Sequence, residues 1–202
     1  VDHMSDASFD DALTIAEEMS YPVLASHVGF NAINRADQDH EGQLTPAELL
    51  RIRNVGGMIG LTSAQGQRRE HLPTYDRPSR YTIPHVCGGS TETFAQAYLY
   101  ALDVGGGIPL GLGTDLNGPL RQVGPRFGSL QCDGGVDTTR TKNSTMLRYP
   151  FVAATGTLMH PQISGSRVFD FNVDGLAHVG LLPDMLADLS TLGVSSSDLE
   201  PL

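Results

Sequence analysis

The chain has 202 residues, 40% of them hydrophobic and 18% charged, enough for one sizeable core and a small appendage. Its 13 basic residues stand against 23 acidic ones, a formal charge of −10, and no basic run is present. That balance argues against a phosphate-backbone partner and so against nucleic acid, and no apolar stretch reaches the length of a membrane span.

In chain order, Val1-Asp2-His3-Met4 reads as the end of a buried strand. Ser8, with Asp11 three residues on, predicts a helix start, and the helix carries Phe9, Leu13, Ile15 and Ala16 to about Ser20. Residues 21–26 form a short apolar run ending at His27, the pattern of a strand buried on both faces. Thr45, Pro46 and Glu48 predict a capped helix that turns Leu49, Leu50 and Ile52 inward and ends near Asn54 or Gly56. Residues 57–61 form the next strand, followed by a polar, proline-containing loop over about 62–89. A helix over 91–103 then presents Phe94, Tyr98 and Leu102 on one face, and residues 108–113 form a strand ending at Thr114-Asp115. Repeated strand–helix units imply a parallel sheet.

Residues 119–172 show no sustained period and read as an insertion or lid with short strands. Helical text returns over 182–192, with Gly193 as its stop, and Ser197 opens a further helix. The expected organisation is therefore a barrel-type unit over 1–118 with its own loop insertion, an insertion over 119–172, and a C-terminal helical segment over 173–202.

Three polar residues, His3, His27 and Asp115, each follow an apolar strand. In a parallel barrel the strand C-termini converge on one face, which holds the active site. Two imidazoles and a carboxylate gathered there suit Zn²⁺ or a similar divalent ion. A lone histidine after a strand is more often a hydrogen-bonded loop residue; three equivalent positions are what tilt the reading toward metal.

The segments VDHMS (1–5), PVLASH (22–27) and GLGTDLNG (111–118), with the ending DGLAHVGLLPDMLADLSTLGVSSSDL (174–199), resemble signatures of the renal (membrane) dipeptidase branch of the amidohydrolases. The resemblance spans residues 1–61, 91–118 and about 173–200, and leaves out the two long loops. It implies an α/β fold of the (β/α)8 TIM-barrel type, of which this chain supplies about the last four strand–helix units, the N-terminal half being its missing partner. It also implies a binuclear zinc hydrolase that cleaves an amide bond of a dipeptide-like substrate. His3 and His27 fall on two histidine ligands of that centre. Asp115 falls on the aspartate beside the metals that accepts a proton from water and passes it to the leaving amine. Arg35 falls in the loop whose arginine pairs with the substrate carboxylate.

The chain departs from the family at Val28-Gly29-Phe30 and at Asn117, which replaces an acidic residue beside the substrate. The family's remaining ligands, a His-x-Asp pair and a bridging glutamate on earlier strands, do not occur in these residues. A lactone or other ester as substrate, and a barrel-derived binding protein without turnover, are the alternatives. A homodimer is compatible with the resemblance.

Other polar residues carry weaker signals. Cys87 and Cys132 are either a disulfide of an exported protein or two inert thiols, and a secreted or periplasmic setting is favoured over a cytoplasmic one. His85 and Cys87 could ligate a metal, but as a loop pair before Gly88-Gly89 they read as structural, and His178 reads as a packing or hydrogen-bonding residue. His40, His71 and His160 lie in polar loops and point to no chemistry. Gly105-Gly106-Gly107 precedes a strand and is not a phosphate loop.

Overall fold

The computed structural model describes residues 1–33, 43–63, 83, 86–116, 122–134 and 146–200. Arg35, Asn117, His40, His71, His85 and most of the 62–89 loop lie outside the described residues.

The first helix, α1 (Asp6–Met19), begins earlier than its sequence suggests. Its cap is Ser5, whose hydroxyl accepts from the Ser8 amide, while the Ser5 carbonyl accepts from Phe9 at 2.9 Å. Ser8 lies inside the first turn. Phe9, Leu13 and Ala16, at spacings of four and three, form the buried stripe, and Ile15 points to solvent. The second helix, α2 (Pro46–Asn54), has the predicted reciprocal cap: the Thr45 side chain accepts from the Glu48 amide, and the Glu48 carboxylate accepts from the Thr45 amide at 2.8 Å. Leu49 and Ile52 are fully buried.

Four parallel strands form the main sheet: β1 (Leu24–Phe30), β2 (Gln43–Leu44), β3 (Met58–Thr62) and β4 (Leu110–Gly113), in the order β2-β1-β3-β4. The sheet is open, and its four strands close no barrel among the described residues. Two strand boundaries differ from expectation. The first strand runs through His27 and three residues beyond it. Residues 1–4 are not a strand, although they run alongside β1: the Val1 amino group donates to the Leu24 carbonyl at 2.7 Å. Position β2, far too short to show a period, was not predicted at all.

Helix α3 (Thr91–Gly105) is wrapped by protein over its first three turns, with every side chain from Thr91 to Ala101 buried. The stripe of Phe94, Tyr98 and Leu102 therefore marks only part of the contact. Three of its polar side chains stay inside with partners. Glu92 accepts from the Val86 and Cys87 amides, Thr93 accepts from the Gly89 amide, and Gln96 donates to the Ile83 carbonyl. α1 packs on α2, α2 on α3, and α3 on α5 (Leu182–Thr191).

The remainder is built from small elements. Two antiparallel ribbons, β5 (Phe151–Val152) with β6 (Leu158–Met159) and β7 (Gln162–Ser164) with β8 (Arg167–Phe169), lead into a one-turn helix, α4 (Phe171–Asp174). α5 is followed by the one-turn α6 (Ser196–Leu199). Three links tie the segments after β4 to one another and to the residues before α3. Cys87 and Cys132 form a disulfide, so they are not free thiols. Arg126, 2% exposed, makes a two-pronged ion pair with Asp188 of α5 and donates to Thr191 at 3.1 Å. The Tyr149 hydroxyl donates to the buried Asp184 and accepts from the Phe171 amide. Burial pushes the Asp184 carboxyl above the ordinary aspartate range, and it outweighs the Tyr149 hydrogen bond, which acts the other way.

Candidate functional site

The site begins with an irregularity in β1. Leu24 and Ala25 pair with Met58 and Ile59 of β3, yet Val28 pairs with Leu61, so β1 holds one residue more than its neighbour between these points. In a regular strand Ser26 and His27 point to opposite faces. A bulge breaks that alternation and re-aims side chains. Here the Ser26 hydroxyl and the His27 Nδ1 meet at 2.8 Å.

Two glycines make room for this. A side-chain carbon at Gly60 or at Gly113 would collide with the Ser26 carbonyl, and one at Gly113 would also stand 2.9 Å from His27 Cα. β3 lies between β1 and β4 in the sheet, so this approach means the sheet curls until the end of β4 closes over the middle of β1. Thr114 and Asp115 follow Gly113 directly in the chain.

Residues 1–4 complete the arrangement. The Ser26 amide donates to the Asp2 carboxylate at 2.7 Å, which lays Asp2 beside the bulge and places His3 next to His27. The two imidazoles meet tip to tip, Nε2 to Nε2 at 3.0 Å, with their rings tilted by 52°. Nδ1 of His27 stands 3.6 Å from the Asp2 carboxylate. Burial acts to raise the Asp2 carboxyl, but the hydrogen bond from the Ser26 amide, with the Ser26 side chain, the amino terminus and His27 nearby, outweighs it and holds Asp2 below the ordinary aspartate range. His3 is exposed and His27 partly so, which leaves the meeting point open to solvent.

His3 and Asp115 share a backbone feature. Both have positive φ, 56° and 44°, where side-chain-bearing residues are uncommon and where His and Asp are enriched. Such conformations persist where surrounding structure holds them, and they cluster at functional sites.

The structure thus brings His3 and His27 into contact and sets Asp115 two residues beyond the glycine that touches His27. Among the described residues, no group of three or more histidine, cysteine, aspartate or glutamate side chains is arranged to hold a metal ion. The donor chemistry of the pair nonetheless fits a divalent ion. Two Nε2 atoms converge on one point, and the far nitrogen of His27 is engaged by a hydroxyl, the outer-shell contact that metal-ligating histidines make. Asp2 and Ser26 were missed by sequence reasoning. Their signal was position: each is a polar residue directly before a singled-out histidine, in an apolar run.

The fold and this geometry define the class: an α/β protein with a parallel four-stranded sheet, in which two imidazoles meet beside the middle of β1. No family model matches the chain, and no curated protein does. Among solved structures it is similar to an amidohydrolase from Pseudomonas aeruginosa, at 16% identity and a TM-score of 0.49. The match covers 95% of this chain and 45% of that one, so the chain spans less than half that protein's length. No helix among the described residues is long and apolar enough to cross a membrane.

Proposed function

We propose that this chain carries part of a divalent-metal centre, with Nε2 of His3 and of His27 as ligands, in a hydrolase acting on an amide bond of a dipeptide-like substrate. The supporting observation is the 3.0 Å approach of the two Nε2 atoms, with Nδ1 of His27 already engaged by Ser26. A divalent ion, zinc by donor type and binuclear by the family resemblance, would supply Lewis acidity and lower the pKa of water to about 7. Two histidines do not complete a coordination sphere, so the reading requires further donors from outside the described residues or from a partner segment.

The chain's own residues have distinct roles in this reading. His3 and His27 hold and orient. Asp115, beyond the strand end that touches His27, accepts a proton from water and returns it to the departing amine. Arg35 and Asn117 are the proposed contacts to substrate. The disulfide supports an oxidising compartment, hence a secreted or periplasmic protein.

The test combines metal analysis with a hydrolysis screen on dipeptides and lactones. Wild-type protein should retain zinc after dialysis, and His3→Ala and His27→Ala should lose it. Asp115→Asn should keep the metal, with kcat lowered by roughly 10²–10⁴ and KM little changed. Cleavage of lactones alone would replace the amide by an ester. Metal retention equal in wild type and both histidine variants would dismiss the centre, and metal without turnover of any substrate would favour a binding protein.

A further inference from the structure

We infer that Ser63 is a positioning residue, whose buried hydroxyl holds the Thr114 carbonyl and so keeps Asp115 in its left-handed backbone conformation. The catalytic purpose of that hold rests on the reading of Asp115 given above; the geometry around Ser63 stands independently.

Asp115 has φ 44°, a conformation that a residue with a side chain keeps only where its surroundings impose it. The rotation concerned is about the Asp115 N–Cα bond, and the flat peptide unit on its amino side contains the Thr114 carbonyl. Fixing that oxygen fixes the plane from which the rotation is made. The β3–β4 ladder ends with the pair Thr62 and Gly113, and Ser63 and Thr114 are the next residues along the two strands. Here a side chain takes over from the backbone. The Ser63 hydroxyl donates to the Thr114 carbonyl at 3.0 Å, and Ser63 is fully buried, so water does not compete for the bond.

Gln122 secures the proton for this contact. The Ser63 hydroxyl also meets Oε1 of Gln122, while Nε2 of the same amide is buried with no partner among the described residues. A hydroxyl has one proton, and here two oxygens face it. The two ends of a carboxamide are alike in shape, and hydrogen bonding decides between them. Turned about, the amide donates from Nε2 to Ser63 Oγ, and the Ser63 proton goes to Thr114 alone. That form leaves an oxygen without a partner in place of an N–H group, and buried oxygens go unpaired more often than buried N–H groups do. A row of donors then runs from Gln122 through Ser63 to the peptide beside Asp115. It also ties the chain on the far side of residues 117–121 to the end of β3.

The test reads the Asp115 backbone directly. A positive φ brings the amide and α protons of one residue close together, so isotope-labelled wild type should show a strong Overhauser peak between them at Asp115. Ser63→Ala should weaken that peak, and Ser63→Thr, which keeps the hydroxyl, should restore it. Gln122→Glu should weaken it with Ser63 in place, because a carboxylate only accepts and draws the Ser63 proton away from Thr114. In dipeptide hydrolysis, Ser63→Ala should lower kcat on the order of 10²-fold, as a displacement of about 1 Å does, with KM and zinc content unchanged. A weak peak in wild type, or a peak of wild-type strength in both Ser63→Ala and Gln122→Glu, overturns the inference. The expected peaks in a wild type that hydrolyses no substrate would uphold the positioning of Asp115 and overturn the hydrolase reading alone.

Discussion

Replacing Gly113 by alanine probes the feature on which the whole site depends, the closure of β4 over β1. The added methyl would stand 2.9 Å from His27 Cα and would collide with the Ser26 carbonyl. Carbon–carbon contacts are optimal at about 3.5–4.0 Å, so the His27 contact alone asks for a separation of roughly 0.6–1.1 Å, and the carbonyl clash asks for more. Overpacking of this kind costs about 1–3 kcal/mol. For a chain of this size each kcal/mol lowers Tm by roughly 2–4 °C, so a fall of roughly 2–12 °C is expected. The displacement also exceeds the ~0.5 Å within which a functional constellation must be held. Zinc affinity should therefore fall by more than the loss of stability explains. Gly111, two residues earlier on the same strand, supplies the control. A methyl there would meet only Met58 Cε at 3.6 Å and the Ile59 carbonyl at 3.9 Å, ordinary contacts. Differential scanning calorimetry and zinc titration of Gly113→Ala and Gly111→Ala decide the matter. If both variants melt and bind alike, the close approach of β4 to Ser26 is refuted.

Three further outcomes concern the Arg126–Asp188 pair, the disulfide and Asp184. Arg126→Met should cost about 3–5 kcal/mol in urea denaturation because it strands the buried Asp188 carboxylate, and adding Asp188→Leu should recover much of that loss. Reducing the Cys87–Cys132 bridge, which spans 45 positions, should remove roughly 4 kcal/mol by the chain-entropy relation, and Cys132→Ser should then be insensitive to reductant. The Asp184 carboxyl titrates above its unfolded value, so the folded state binds that proton more tightly, and this contribution to stability is greatest below about pH 3.9 and declines as pH rises through the raised pKa. Asp184→Asn should thus gain on wild type as pH increases, and two parallel stability profiles would count against the assignment.

Local interactions were legible in the text because their partners lie within one turn of one another. The reciprocal cap of Thr45 and Glu48 and the stripe of Phe9, Leu13 and Ala16 needed only spacings of three and four. Even here a neighbour misled: Ser8, three residues before Asp11, reads as the cap, but Ser5 takes that place and Ser8 falls inside the first turn. The burial of α3 on all sides was hidden for a different reason. Its inward Glu92 and Gln96 read as solvent-facing until their partners at residues 83–87 are known.

The sequence by itself determined that this is an acidic α/β chain with parallel strands and that His3, His27 and Asp115 are its most chemically suggestive residues. Only the tertiary structure decided how the histidines meet. Their nitrogens come from positions 24 residues apart, and the contact requires a bulge, two glycines and an aspartate tether to act together. A bulge depends on the register between two strands, and a close approach depends on the curl of a sheet. Neither is a property of any short stretch of residues, because both arise when distant segments press against one another and the smallest side chains yield.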